Sequence, residues 1–417
     1  MRRCSFLFGL SLFALHLLAA GVRGDDWPAW RGADGQGVAH ETNFPETWSA
    51  KENVVWRTPL PGPCNSTPIV CKGRVFVTQA TDNGAKRLVL CFDRATGKSL
   101  WQGETAFAGK ERTEVNTNPY CSASPVTDGQ RVVAWLGSAG MVAYDLDGKL
   151  LWRADLGEFE HPFGNGSSPL IFGDAVIVNC GPGANSFLVA LDKRDGKQLW
   201  KHDFLERQKK QIDEWSGAWD TPIVIQVDGK QQIVVALPKR VAAFDPASGD
   251  EIWTCSGMND SINPSPLFAQ GIVVATGANG GPTMAIRVGG AKGDVTKTNR
   301  LWVGVANGQR VSSGVIAGGH LFLVNELGVA QCITLATGKE VWKERMGKQA
   351  WGSLVLVGEK IYAIDATGET FVFDAAPVFK IREHNPLGET TRGSLAFSDG
   401  QIFVRTYKAL YCIGAKK

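Results

Sequence analysis

The chain has 417 residues, with 44 lysines and arginines against 41 acids, a length that exceeds one compact core unless the architecture is a large closed β structure. An export signal at residues 1–24 removes Arg2, Arg3 and Arg23 and no acid, which leaves 41 bases against 41 acids. A neutral mature chain has no electrostatic footprint for nucleic acid, and no segment after the signal approaches eighteen continuous apolar residues, so no transmembrane segment is expected.

In chain order, the first element is that signal. Arg2 and Arg3 supply its positive end, Phe6 to Ala20 its apolar run, and Val22-Arg23-Gly24 its cleavage site. No cysteine follows the apolar run and Cys4 precedes it, so the expected product is soluble and periplasmic or secreted, without a lipid anchor. Residues 25–52 form an N-terminal extension carrying Asp26-Trp27-Pro28-Ala29-Trp30-Arg31-Gly32. Its tryptophans are expected to cover a sheet edge or the outer wall of the fold. Asp34-Gly35-Gln36-Gly37 is too short for a calcium loop and reads as a turn.

From Asn53 onward the chain repeats itself. Cys91–Trp101 reads C-F-D-R-A-T-G-K-S-L-W, and Ala190–Trp200, Ala243–Trp253 and Cys332–Trp342 are copies, with a shortened one at Ala143–Trp152. Each is an alternating strand, an Asp that caps a tight turn, a Gly in the left-handed conformation and a second strand ending at Trp. Upstream of each hairpin a small polar cluster precedes a short apolar strand, which aligns Thr67, Ser124, Ser168, Thr221, Ser265, Ser313, Ser353 and Ser394. Four short strands per unit, eight times over, predicts an all-β, eight-bladed β-propeller of four-stranded antiparallel blades. The chain ends where a last outer strand is due, whereas Asn53-Val54-Val55-Trp56 is an outer strand with no blade before it. The N-terminal strand near Trp56 is therefore expected to close the ring, which makes residues 53–417 a single domain. Blade five replaces its tight turn by Gly289 to Asn299, read as a protruding hairpin, and a charged stretch from Glu206 to Glu214 enters blade four.

The hydroxyls recur in every blade, so they are read as structural, bonding nearby backbone. Function is sought where the repeats differ. Two residues before each hydroxyl the positions are Asn65, Ser122, Gly166, Trp219, Asn263, Val311, Trp351 and Arg392; one further out lie Cys64, Cys121, Asn165, Ala218, Ile262, Arg310, Ala350 and Thr391. If the inner strands start where the central channel opens, Asn65, Ser122, Asn165, Trp219, Asp220, Asn263, Arg310, Trp351 and Arg392 surround its mouth. They would suit a planar or polyhydroxy ligand, or a protein partner. Cys91, Cys332 and Cys412 align with alanines and are expected to be buried thiols. Cys64 and Cys121 are equivalent in neighbouring blades, and spacing alone leaves their pairing open. No histidine pair at i,i+4 and no G-x-S-x-G elbow occurs, so neither a metal site nor a catalytic nucleophile is expected.

The A-x-D-x-x-T-G-K-x-x-W unit resembles the tryptophan-docking repeat of the pyrroloquinoline quinone (PQQ)-like, BamB-like propellers, which include quinoprotein alcohol dehydrogenases and a lipoprotein subunit of the outer-membrane β-barrel assembly machine. Asp26–Gly32 and Gly293-Asp294-Val295 look like a group of exported bacterial PQQ-like repeat proteins of unestablished function. The resemblance implies either of two functions. Catalysis with PQQ and calcium relies in that family on carboxylate and amide ligands, a catalytic Asp and a disulfide between adjacent cysteines, and this chain has no Cys-Cys pair. The expectation is a monomeric, non-catalytic binding or scaffold protein of the envelope, with no cofactor, that holds an envelope protein or a small polar ligand at the channel mouth; a PQQ-dependent dehydrogenase is the alternative. A WD-repeat propeller is set aside because Trp-Asp occurs once, at Trp219-Asp220, in the wrong strand.

Overall fold

The hairpin repeat folds as its alternation dictates. The computed structural model describes residues 26–183, 185–204, 215–305 and 311–415; the signal segment, the charged stretch and Arg310 lie outside these. Eight antiparallel sheets follow one another around a ring, each with its short inner strand first, as in Ile69–Cys71, Arg74–Thr81, Lys86–Asp93 and Ser99–Ala106 of blade one. In blade eight, Val54–Pro59 pairs antiparallel with Ala409–Ile413, so the N-terminal strand closes the ring as expected. Helix is confined, among the described residues, to two short 3-10 turns, Asp82–Gly84 and Gly137–Ala139.

Six of the recurring tryptophans hold one blade to the next. The indole N–H of Trp56 donates to Arg94 O (2.8 Å), and Trp101, Trp152, Trp200, Trp302 and Trp342 repeat this bond to the turn of the following blade at 2.8–3.0 Å. Glycine is required in those turns because the indole lies against it. Gly249 has φ +76°, and a Cβ there would stand 2.5 Å from Cε3 of Trp200. Gly249→Ala is therefore expected to cost about 2 kcal/mol or more, from left-handed strain plus displaced packing; a urea midpoint equal to wild type would refute the docking role.

Trp253 breaks the series, donating instead to Gln232 Oε1 within its own blade (2.9 Å). The reason is the blade-five insertion, which removes the turn that Trp253 would dock on. That insertion does not protrude as expected. It folds back so that Gly293–Asp294 pairs parallel with Trp253 and Thr254 on the outer edge of blade four, with Val295 buried.

Around the channel the eight aligned hydroxyls form a closed circuit. The backbone N–H of Thr67 donates to Ser124 Oγ, that of Ser124 to Ser168 Oγ, and so on around the ring until Ser394 N–H donates to Thr67 Oγ1, every bond 2.8–3.0 Å. The hydroxyls are structural, but they bond the neighbouring blade rather than their own turn. Behind them a second layer ties particular blades. Thr78 Oγ1 donates to Ala123 O (2.8 Å), Asn179 Nδ2 to Asp220 Oδ1 (3.0 Å), and Arg405 Nη1 to Ser66 Oγ (2.7 Å).

Of the two places expected for the extension, it takes a sheet edge and not the outer wall, crossing the channel along the inner strands. Trp27 pairs with Val70 of blade one, and Thr127 N–H of blade two donates to Pro28 O (2.9 Å). Phe268 N–H of blade five donates to Gln36 Oε1 (2.8 Å), and Val38–Ala39 runs parallel to Leu356 and Val357 of blade seven. Arg31 is fully buried at the centre, where its guanidinium donates to the carbonyls of Gly35, Gln36, Ser313, Gly314 and Leu354 at 2.6–3.3 Å. With that much burial and only Asp34 nearby to offset it, its pKa falls to about 9.

Candidate functional site

The channel is thus a cup. Trp30, next to Arg31 on the extension, forms its floor; the hydroxyl circuit contributes Thr67, Ser168, Thr221, Ser353 and Ser394 at mid-height; and all eight positions of the non-repeating ring, from Asn65 to Arg392, line the wall above. The cavity measures about 180 Å³. Residues two before each hydroxyl therefore face the same cavity as the hydroxyls, in the segments just ahead of the inner strands.

The mouth is held by its own polar groups. Asn65 Nδ2 donates to Thr117 O (2.8 Å) and Ser122 Oγ (3.0 Å). Trp219 is fixed by its indole N–H to Gly164 O (2.8 Å) and by the edge-on ring of His161, 4.8 Å away between centroids. The Arg392 guanidinium lies 3.9 Å over the Trp351 ring and donates to Asn116 O, a cation–π contact that holds both side chains at the rim. Arg392 is the only ionisable side chain among the described lining residues.

Six of the nine residues singled out from the sequence meet here: Asn65, Ser122, Trp219, Asn263, Trp351 and Arg392. Asp220 does not. In the segment leading into the inner strand of blade four it points away from the cavity, into the seam between blades three and four, where Oδ2 accepts from Ala236 N–H (2.9 Å) and Oδ1 from Asn179. Complete burial pushes its carboxyl up to about 8, against the lowering effect of those two bonds. Asn165 is turned aside as well, its Nδ2 donating to Glu111 Oε1 (2.8 Å), beside the buried Arg87–Glu111 pair. Arg310 is outside the described residues. Sequence reasoning missed Trp30, whose segment has no repeat to align with, and Thr117, Asn118 and Phe163, which come from the long blade-two and blade-three connections.

Cys64 and Cys121 are joined as a disulfide between blades one and two, with Cα atoms 5.5 Å apart. Cys91, Cys332 and Cys412 are buried thiols, raised to about 12 by desolvation. Among the described residues no three His, Cys, Asp or Glu side chains gather closely enough to hold a metal ion. The cup does not fit calcium either. That ion takes six to eight oxygens with carboxylates prominent, whereas among the described residues no carboxylate lines the wall and both oxygens of Asp220 are engaged elsewhere.

Comparison with known proteins agrees on the architecture. BamB of Burkholderia pseudomallei (strain K96243) is 26% identical over 271 residues, covering 61% of this chain and 63% of that protein's length. The crystal structure of BamB from Moraxella catarrhalis superposes with a TM-score of 0.62 at 15% identity, over 87% of this chain and 97% of that one. Quinohemoprotein alcohol dehydrogenase from Comamonas testosteroni gives 0.69 at 13% identity, over 94% and 81%. At such identities the two structures share the fold alone. A family model described as outer membrane protein assembly factor BamB matches residues 46–156 and 85–344, and on that match, together with the docked tryptophans of the ring, the chain belongs to the BamB-like family of PQQ-like propellers.

Proposed function

We propose that this protein is a non-catalytic binding module of the cell envelope, in the manner its relatives' name of assembly factor implies, and that it engages its partner at the mouth of the channel. The observation that carries the reading is the cup. The positions that vary from blade to blade converge there, while the repeated hydroxyls and the docked tryptophans tie blade to blade. Two rigid tryptophans and an Arg stacked on one of them are the residue types that dominate binding energy at protein surfaces. The fold is also that of a dehydrogenase, but among the described residues the wall holds none of the carboxylates that calcium and a catalytic base require, which supports binding over PQQ-dependent oxidation.

The test is affinity capture from a solubilised envelope extract, with wild type beside Trp219→Ala, Trp351→Ala and Arg392→Ala. Each truncation is expected to weaken capture of the specific partner by about 10-fold or more, the scale of an anchor residue. Capture unchanged in all three variants, with unchanged circular dichroism, sinks the reading.

A further inference from the structure

Aromatic rings lead out of the cup and over its rim. Between ring centroids Phe163 lies 6.3 Å from Trp219, both on the wall, and 6.1 Å from Trp215, which stands outside the lining. Trp215 is 52% exposed, the one exposed tryptophan among the described residues, although this side chain is on average well buried. The track is held from behind. Trp219 is fixed by Gly164 and His161, Thr113 bridges to Phe163, and Glu114 N–H donates to Pro162 O (2.6 Å). Rings ordered before a ligand arrives lose little freedom when it binds.

The cup at the end of this track offers donors and few acceptors. Each circuit hydroxyl accepts a backbone N–H, which leaves its own proton to donate, and among the described residues no carbonyl or carboxylate receives any of the eight protons. Thr67, Ser168, Thr221, Ser353 and Ser394 are each at least nine-tenths buried and line the cavity. The indole N–H of Trp351, itself buried, has no acceptor among the described residues, and the Arg392 guanidinium stands over its ring. Against these, one buried acceptor on the wall, Asn118 Oδ1, lacks a donor. Whatever enters must bring several acceptors and few donors.

Resting on the reading of the cup as the partner's binding site, we propose that the element the partner inserts is an extended, proline-bearing segment in the polyproline II conformation. Among peptide conformations it is the one whose carbonyls make no internal hydrogen bonds and stay available to the hydroxyls, Trp351 and Arg392. Proline also lacks the backbone N–H that a donor-lined wall would leave unpaired. A helix or a paired strand, by contrast, arrives with its carbonyls already engaged. Pyrrolidine rings pack against aromatic faces, as in other aromatic-lined grooves that take proline-rich chains. From Trp215 to Trp219 the track runs at most about 12 Å, the length of about four residues of polyproline II at about 3.1 Å each.

The test titrates blocked hexaproline and a blocked Gly-Ser peptide of the same length into the full chain, followed by tryptophan fluorescence and calorimetry. Hexaproline is expected to bind at least about 10-fold tighter, since its conformation is already that of the bound state. Trp215→Ala, which alters the track and not the cavity, should weaken hexaproline by about 10-fold. Trp351→Phe keeps the ring and removes its N–H, and should weaken it by about fivefold. Hexaproline should also displace the partner captured from envelope extract.

Equal binding of the two peptides overturns the proposal, as does unchanged hexaproline binding in folded Trp215→Ala and Trp351→Phe proteins. So does failure of bound hexaproline to displace a partner whose capture depends on the mouth residues. Silence of hexaproline at millimolar concentration, while capture still depends on Trp219 and Trp351, leaves the cup as the binding site and overturns only the proline chemistry. Hexaproline binding that requires Trp215, in a protein whose capture ignores Trp219, Trp351 and Arg392, supports the proline site and fails the reading of the mouth as the partner's seat.

Discussion

Replacing Arg405 by methionine is expected to destabilise the ring by roughly 3 kcal/mol, the cost of deserting buried acceptors that a cation had satisfied. Arg405 belongs to blade eight and reaches into blade one, where Nη1 donates to Ser66 Oγ and Thr78 O (2.7 and 2.6 Å) and Nη2 to Gln79 Oε1. Burial without an acidic partner lowers its pKa to about 9, so the charge is held by neutral acceptors alone. Methionine fills similar volume but leaves Gln79 Oε1 short of a donor across the joint where the chain's first and last strands meet. Urea unfolding should show a lower midpoint at an unchanged slope, and Arg405→Lys should fall between the two proteins because it keeps the charge and loses the fork. Equal midpoints for wild type and Arg405→Met would show that this joint is held by packing alone.

A second large effect concerns pH. The Asp220 carboxyl is raised from 3.8 to about 8 by complete burial. Between those values the unfolded chain has released its proton while the folded chain retains it, so stability falls as pH rises through that window. The limit is about 1.4 kcal/mol for each pH unit. Below the lower value both states are protonated and the contribution is flat. Asp220→Asn should remove this slope. At pH 5 the variant is expected to be less stable than wild type, because the amide NH2 replaces one of the two carboxyl oxygens that accept from Ala236 N–H and Asn179 Nδ2 and so sets donor against donor. At pH 8 the order should reverse. Parallel curves from pH 5 to 8 would show that Asp220 is ionised in the folded protein.

The ring itself was readable because its repeats carry its interactions. Asp, Gly and Trp at fixed offsets are the turn, the docking surface and the docked ring, and one strand near Trp56 supplies the missing edge. The wall of the cup was readable for the same reason, since aligning the hydroxyls aligns whatever stands two residues earlier. The failures have a common origin. Asp220 and Asn165 sit one residue from a lining position, and in the segments ahead of the inner strands that one residue turns the side chain away from the cavity and into the ring. Trp30 belongs to a segment outside the repeat, so neither periodicity nor alignment says which end of the channel it enters. The insertion at Gly289–Asn299 announces only that a turn is missing, and its return to the edge of blade four depends on backbone pairing that carries no side-chain signature.

The strand that closes the ring also determines how the protein bears a mechanical load. Val54 pairs with Ile413 and Pro59 with Ala409, so the flanking chain leaves both strands at the same end of the ladder. A pull on the two flanks would peel that ladder one pair at a time instead of shearing it all at once. The extension intercepts such a pull on the N-terminal side: Arg31 is fastened to blades six and seven, Val38–Ala39 lies along Leu356 and Val357, and Trp48 N–H donates to Asn385 Oδ1 (2.8 Å). Tension applied ahead of Asp26 is passed into blades one, two, six and seven before it can reach the joint in blade eight, so the segment that floors the cup also serves as its strain relief.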